Sequence, residues 1–283
     1  MNIIKVKNLI HDYNKGHTDQ KRAINDVTMN IKKGDFVAII GHNGSGKSSL
    51  ARHLNAMLLP TSGAVIVDEI DTQNREFVFN IRQTAGMVFQ NPDEQIVSSV
   101  VEEDVAFGPE NLALPTDEIR SRVDKALRAV RMSKFCKKPP IRLSSGQKQR
   151  VAIAGVIAMQ PKCIILDEPT SMLDPIGRKE VMDTIGELNQ KYGITIIIIT
   201  HHMEEAAKAD YIYVMDHGKL KMDGRPKAIF ERVDELKALG LEVPKVTELA
   251  YMLNKAGVDI DSNILETDAL VEAICGLANK KSD

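Results

Sequence analysis

Polar and apolar positions alternate over residues 3–10 and 23–31, as in half-buried strands, and the second run stops at Lys33-Gly34, a turn signal. Phe36–Ile40 is apolar throughout and breaks at Gly41, as a strand buried on both faces does on entering a loop. Ser48–Leu58 reads as a helix closed by Pro60, and residues 64–67 and 86–89 as short strands. Helices are predicted over 99–106 and over 117–131, the latter with Ile119, Val123, Ala126, Leu127 and Val130 near one face, and over Gln147–Met159, rich in Ala and Val. Cys163–Leu166 and Ile194–Ile199 read as buried strands of a parallel sheet, separated by a charged helix at 177–191. In the tail, Val246, Leu249, Ala250, Leu253 and then Leu270, Ala273, Ile274, Leu277 follow the i, i+3, i+4, i+7 spacing of two amphipathic helices. Buried strands alternating with helices predict an α/β domain, interrupted by a mostly helical stretch at 93–158.

Composition narrows the classes. A chain of 283 residues with 43% hydrophobic positions has room for one large domain or two. Lys and Arg number 37 against 39 Asp and Glu, net −2, so no global basic field points to nucleic acid or an anionic membrane. The charge is uneven: residues 223–283 hold 8 basic and 12 acidic side chains, net −4, which leaves net +2 on residues 1–222 and predicts a boundary there. No apolar run approaches the roughly 18–20 residues of a membrane span, and the N-terminal MNIIKVKNL lacks the apolar centre of a secretion signal. Cys136, Cys163 and Cys275 are far apart and without metal-ligand spacing, as in reduced cytosolic thiols.

The chemistry is concentrated in a few places. Gly41-His42-Asn43-Gly44-Ser45-Gly46-Lys47-Ser48 matches G-x-x-x-x-G-K-[ST] where a strand gives way to a helix, the context a phosphate-binding loop requires. Its glycines let backbone N–H groups wrap a polyphosphate, and the helix N-terminus adds its dipole. Lys47 then meets the β- and γ-phosphates, and the Ser48 hydroxyl is a Mg²⁺ ligand. Cys163–Leu166 delivers Asp167 at a strand end, the Mg²⁺ partner of a P-loop nucleotidase. The adjacent Glu168 is the candidate to orient or deprotonate an attacking water. Leu143-Ser144-Ser145-Gly146-Gln147 opens a helix and offers a second anion site about 100 residues on, although by itself it is also a good N-cap.

With these motifs in place, residues 1–222 resemble the ATP-binding subunits of ABC transporters. The resemblance implies a P-loop ABC cassette: a RecA-like parallel-sheet core with an antiparallel β part, a helical subdomain inserted over about 93–158, and a helical C-terminal extension over 223–283 that aids dimerisation. It also implies ATP and Mg²⁺ as cofactors and ATP hydrolysis as the reaction. The nucleotide would be held by Gly41, Asn43, Gly44, Ser45, Gly46, Lys47, Ser48 and Ser49, with Tyr13, 28 residues before Gly41, stacking on adenine. Gln90 in Phe89-Gln90-Asn91-Pro92 is similar to the glutamine that senses Mg²⁺ and the attacking water; with Ser48 and Asp167 it completes the metal set. Ser144, Ser145, Gly146 and Gln147 are similar to the signature that closes on the γ-phosphate of a second subunit, with Ser145 where glycine is usual. Asp174 in Ser171-Met172-Leu173-Asp174 resembles the D-loop acid. His201, after Thr200, resembles the switch histidine, with His202 the competing candidate.

Two further stretches, 90–95 and 100–111, resemble the energy-coupling factor transporters, importers of vitamins and transition-metal ions, and Val101-Glu102-Glu103-Asp104 is more similar to the first of their two paired ATPases. This implies a heterodimer with a second similar ATPase, a homodimer being the alternative. It also implies a transmembrane coupling subunit, a substrate-binding membrane subunit and a peripheral place on the cytoplasmic membrane face. The acidic run 102–104 is either a docking surface for that membrane partner or a set of acids stabilised by a helix dipole. The alternatives are a soluble ABC ATPase acting on nucleic acid or the ribosome, another importer's ATPase, or a degenerate cassette. The short 90–143 segment, the near-neutral charge and the intact Lys47, Asp167, Glu168 and His201 favour transport.

Overall fold

The computed structural model describes residues 1–280. Its strands are β1 (Asn2–Tyr13), β2 (Lys21–Lys32), β3 (Phe36–Ile40), β4 (Ser62–Val67), β5 (Ile70–Asp71), β6 (Ala85–Val88), β7 (Cys163–Asp167), β8 (Thr195–Ile199), β9 (Tyr211–Asp216) and β10 (Lys219–Gly224). The helices are α1 (Lys47–Leu54), α2 (Val78–Thr84), α3 (Val101–Asn111), α4 (Thr116–Ala129), α5 (Ser145–Ala158), α6 (Pro175–Tyr192), α7 (Met203–Ala206), α8 (Pro226–Phe230), α9 (Val233–Ala238), α10 (Lys245–Lys255) and α11 (Thr267–Lys280). No helix among the described residues is long and apolar enough to cross a membrane.

Two sheets share the work. The antiparallel sheet runs β2-β1-β4-β5, and the larger one β10-β9-β3-β8-β7-β6, parallel except for the β9–β10 hairpin. Every residue of β3, β7 and β8 is buried, as expected of strands covered on both faces. The register sets the function of this sheet. Ile39 pairs with Ile199, Asp167 with Ile199, and Val88 with Leu166, so β3, β8, β7 and β6 finish along one edge. The loops after them, which carry residues 41–47, 200–202, 168–174 and 89–91, therefore emerge together. Ligands of open parallel sheets bind at such carboxyl edges.

The structure differs from the sequence expectation in three places: the first helix, the sheet edge and the tail. The first helix stops at Leu54 rather than Leu58, because Asn55 turns inward to donate from Nδ2 to the Ala85 carbonyl and Ala56 takes a positive φ of 54°. β9 and β10 close the far edge of the parallel sheet, and the composition change after residue 222 falls inside β10. Beyond it, α8 and α9 continue the cassette: Ile229, Phe230, Val233, Leu236, Leu241 and Val243 join the same apolar core as β3, β7 and β8. A separate small cluster begins only in α10, around Ala250, Ile260 and Leu270.

Candidate active site

The loop from Gly41 to Gly46 is shaped by close backbone approach. A Cβ on Gly41 would lie 2.4 Å from the Met215 carbonyl oxygen, and one on Gly46 would lie 2.6 Å from that of Ala23. Gly44 and Gly46 also have φ of +81° and +104°, a region that L side chains avoid. Gly46 caps α1 without a side-chain hydrogen bond, so the first N–H groups of the helix are left for an anion. The Lys47 ammonium is buried and donates to the Gly41 carbonyl at 2.8 Å and the His42 carbonyl at 3.0 Å. Burial holds it below the usual lysine pKa, against the pull of Glu168 and Asp167. Ser48 Oγ donates to Asp167 Oδ1 at 3.0 Å, and Ser49 Oγ shares a hydrogen bond of 3.0 Å with the Tyr13 hydroxyl. Asn43 and Gly44 are exposed on the loop, and Ser45 is buried beneath it.

Glu168 departs from ordinary backbone. Its φ is +47°, unusual for a non-glycine residue, and it is held there by its N–H donating to the Ile199 carbonyl and its carbonyl accepting from Ser171 Oγ. The turn aims its carboxylate at two partners: Gln90 Nε2 donates to Glu168 Oε2 at 3.3 Å, and His201 Nδ1 lies 3.4 Å from the same oxygen. Gln90 Nε2 also donates to Ser171 Oγ at 3.1 Å. Of the adjacent histidines, His201 faces Glu168, whereas His202 turns to Arg178, 3.3 Å away, in surroundings whose burial lowers its pKa. Glu205, 3% exposed, accepts from Thr170 Oγ1 at 2.6 Å and Thr200 Oγ1 at 2.7 Å, tying the loop of Glu168 to the loop of His201.

These residues border a cleft of about 640 Å³ lined by Tyr13, Asn43, Gly44, Gly46, Lys47, Ser48, Ser49, Gln90 and Glu168. Lys21, Arg22, Ala23, His217 and Gly218 complete its wall. The sequence did not single them out, because only the β1–β2 pairing and the β9–β10 turn bring them beside the loop. The donor set fits a magnesium nucleotide: a hydroxyl, a carboxylate and an amide oxygen are hard oxygen ligands. Asp167, 7% exposed, also has no ion-pair partner within 4.0 Å among the described residues.

Ser144, Ser145, Gly146 and Gln147 do not join this cleft. They open α5 in a capping box, with Gln147 N–H donating to Ser144 Oγ and Ser144 N–H to Gln147 Oε1, and Ser144 and Ser145 face outward. Asp174 caps α6, accepting from the Gly177 N–H at 3.0 Å, and Gly177 packs against Gly146 at the start of α5. In the acidic run, Asp104 is buried and accepts from the Val97 and Ser98 N–H groups, Glu103 accepts from Ser98 Oγ, and Glu102 pairs with Lys137. Each acid thus has an internal partner.

The ABC transporter family profile matches residues 24–171. The energy-coupling factor transporter ATP-binding protein EcfA1 of Clostridium novyi (strain NT) is 56% identical over 276 residues, 98% of this chain and 99% of that protein. Among solved structures, cbiO1 from Clostridium perfringens, part of the ABC transporter complex cbiONQ, matches with a TM-score of 0.75 at 42% identity, covering 88% of this chain and 98% of its own. A dimeric ATP-binding cassette in a post-hydrolysis state, bound to ADP and Pi, matches with a TM-score of 0.71 at 31% identity, over 79% and 98%.

Proposed function

The chain belongs to the ABC transporter ATP-binding family, among the energy-coupling factor ATPases, and we propose that it hydrolyses Mg²⁺-ATP in the cleft above to power import through membrane partners. The observation that carries this is the convergence of Gln90 and His201 on the Glu168 carboxylate, one residue beyond Asp167 and beside the Lys47 loop. Lys47 supplies buried positive charge for the phosphates, and the α1 N-terminus its free N–H groups. Ser48, Asp167 and Gln90 would hold Mg²⁺, whose contribution is to neutralise charge on the triphosphate. Glu168 orients the attacking water and accepts its proton, while Gln90 and His201 hold the carboxylate in place. Tyr13, tethered by Ser49, stands at the cleft rim for the adenine.

A second cassette completes each site. Ser144, Ser145, Gly146 and Gln147 lie outside their own cleft with outward-facing hydroxyls, as a signature serving another subunit's γ-phosphate requires. Asp174 belongs to the same face. The partner we favour is a second, similar ATPase, with a homodimer as the alternative. A transmembrane coupling subunit and a substrate-binding membrane subunit would place the pair on the cytoplasmic membrane face, with a vitamin or a transition-metal ion as cargo. The groove between α2 and α3, with exposed Phe79, Val97 and Phe107, fits the apolar side of a coupling helix.

The test is Glu168→Gln in the assembled complex. Nucleotide binding is expected to persist while turnover falls by about 10²–10⁴-fold, the usual contribution of a general base, and Lys47→Ala is expected to weaken nucleotide binding itself. Near-normal turnover of the Gln variant would remove Glu168 from this role.

A further inference from the structure

Three metal-ligating side chains stand together beside the phosphate loop; His217 borders the cleft, but none of the three has a part in the mechanism above. Asp216 ends β9, His217 follows it in the turn to β10, and His42 is the second residue of the phosphate loop. His42 Nε2 lies 3.0 Å from Asp216 Oδ1, and His217 Nε2 lies 3.7 Å from the same oxygen. The three ligand atoms fall within 4.8 Å of one another. The hydrogen-bond partners orient the His42 ring. His42 Nδ1 is 2.8 Å from the Asn43 carbonyl oxygen, which can only accept, so Nδ1 carries a proton. That leaves Nε2, 3.0 Å from Asp216 Oδ1, as the ring nitrogen turned toward the carboxylate. Lys221 serves the other carboxylate oxygen, 3.5 Å away, and leaves Oδ1 to the imidazoles.

We propose that His42, Asp216 and His217 form a site for one borderline divalent transition-metal ion of the Zn²⁺ or Co²⁺ class, which fastens the phosphate loop to the β9–β10 turn. A backbone carbonyl on Nδ1–H that fixes Nε2 as the ligand is the usual support of a metal-bound histidine. With metal–ligand bonds of about 2.0–2.1 Å, tetrahedral neighbours sit about 3.4 Å apart, and the separations of 3.0 and 3.7 Å bracket that spacing. Two imidazoles and one carboxylate suit such ions and match Mg²⁺ poorly. His217, its side chain 83% exposed, has the freedom to close the third bond. The site is separate from the Ser48–Asp167 pair and does not depend on the reaction assigned to it.

The experiment is a Co²⁺ titration at pH 8, without nucleotide, of untagged full-length protein carrying Cys136→Ser and Cys275→Ser. Those changes remove the accessible thiols, while Cys163 is buried and its thiol pKa is pushed up by that burial. One equivalent is expected to bind with visible ligand-field absorption, to be displaced by Zn²⁺, and to resist excess Mg²⁺. His217→Asn, which suits the positive φ of 46° at that position, and Asp216→Asn are each expected to weaken Co²⁺ at least about tenfold. No Co²⁺-dependent absorption would overturn the proposal, and so would an unchanged affinity in a folded His217→Asn protein.

Discussion

Asp167 ends β7 almost wholly buried, and that burial, reinforced by Glu168, pushes its carboxyl above the ordinary carboxylate pKa against the opposing pull of Ser48, Arg52 and Lys47. An acid raised in the folded state contributes stability that is complete below its unfolded pKa and lost as pH rises through the folded value. At neutral pH the ionised side chain therefore works against the fold and is retained for the chemistry. Asp167→Asn keeps the shape and an acceptor for Ser48 Oγ, so the nucleotide-free protein is expected to melt higher at pH 7 while losing Mg²⁺-dependent turnover. A melting temperature that stays level or falls, measured against the parent between pH 5 and 8, would contradict this account. Sequence made Asp167 and Glu168 legible because an apolar strand ending in two acids beside a phosphate loop has few other uses. It could not reveal Glu205: in Met203-Glu204-Glu205 the two acids look alike, and only the fold sets one on Thr170 and Thr200 while its neighbour is exposed.

Among elements, β3, β7 and β8 were readable because strands covered on both faces are runs of apolar residues. β9 is also apolar, in Tyr211–Asp216, but no glycine or proline marks its start, and its pairing with β3 spans more than 170 residues. The α5 N-terminus was readable in both of its roles. Ser144 and Gln147 make the capping box, and Ser145 occupies the first turn without a positive φ, so its Cβ carries no backbone strain. Ser145→Gly therefore relieves nothing and adds only the entropic cost of glycine in a helix, about 0.5–1 kcal/mol. We expect a change in ATPase rate of less than about tenfold, equivalent to about 1.4 kcal/mol in the barrier. Because the signature serves the other subunit, the change should appear at the partner's phosphate loop. Single-site turnover in dimers with one loop lysine disabled at a time reads this directly, and a change confined to the site built on Lys47 would contradict the assignment.

At the scale of the whole molecule, the acidic tail divides where packing, rather than composition, places the seam. Cutting after Lys221 would split β10 and strip Ile229, Phe230, Val233 and Leu236, each at most 1% exposed, from the cassette core. At about 1.5–3 kcal/mol for each large buried apolar side chain, the loss is about 6–12 kcal/mol. That is as large as the entire 5–15 kcal/mol that holds a typical domain folded, so this truncation is expected to give insoluble or unfolded protein. Cutting after Val243 keeps every buried residue of that core and removes α10, α11 and their own cluster, together with the partly buried Tyr251 and Leu265 that pack against the core and the ion pairs of Glu248 with Lys237 and of Lys255 with Asp234. Those helices expose four large apolar side chains, Leu249, Met252, Val271 and Ile274, which a partner could cover. The chain ending at Val243 is therefore expected to fold, to keep a cooperative melting transition and nucleotide binding, and to dimerise at least about tenfold more weakly, which corresponds to about 1.4 kcal/mol of association energy at this interface. Sedimentation of the two chains with their partner ATPase, across a concentration series, reads the dissociation constant. An unchanged constant for the chain ending at Val243 would assign dimerisation to the cassette faces around Ser145 and Asp174 alone.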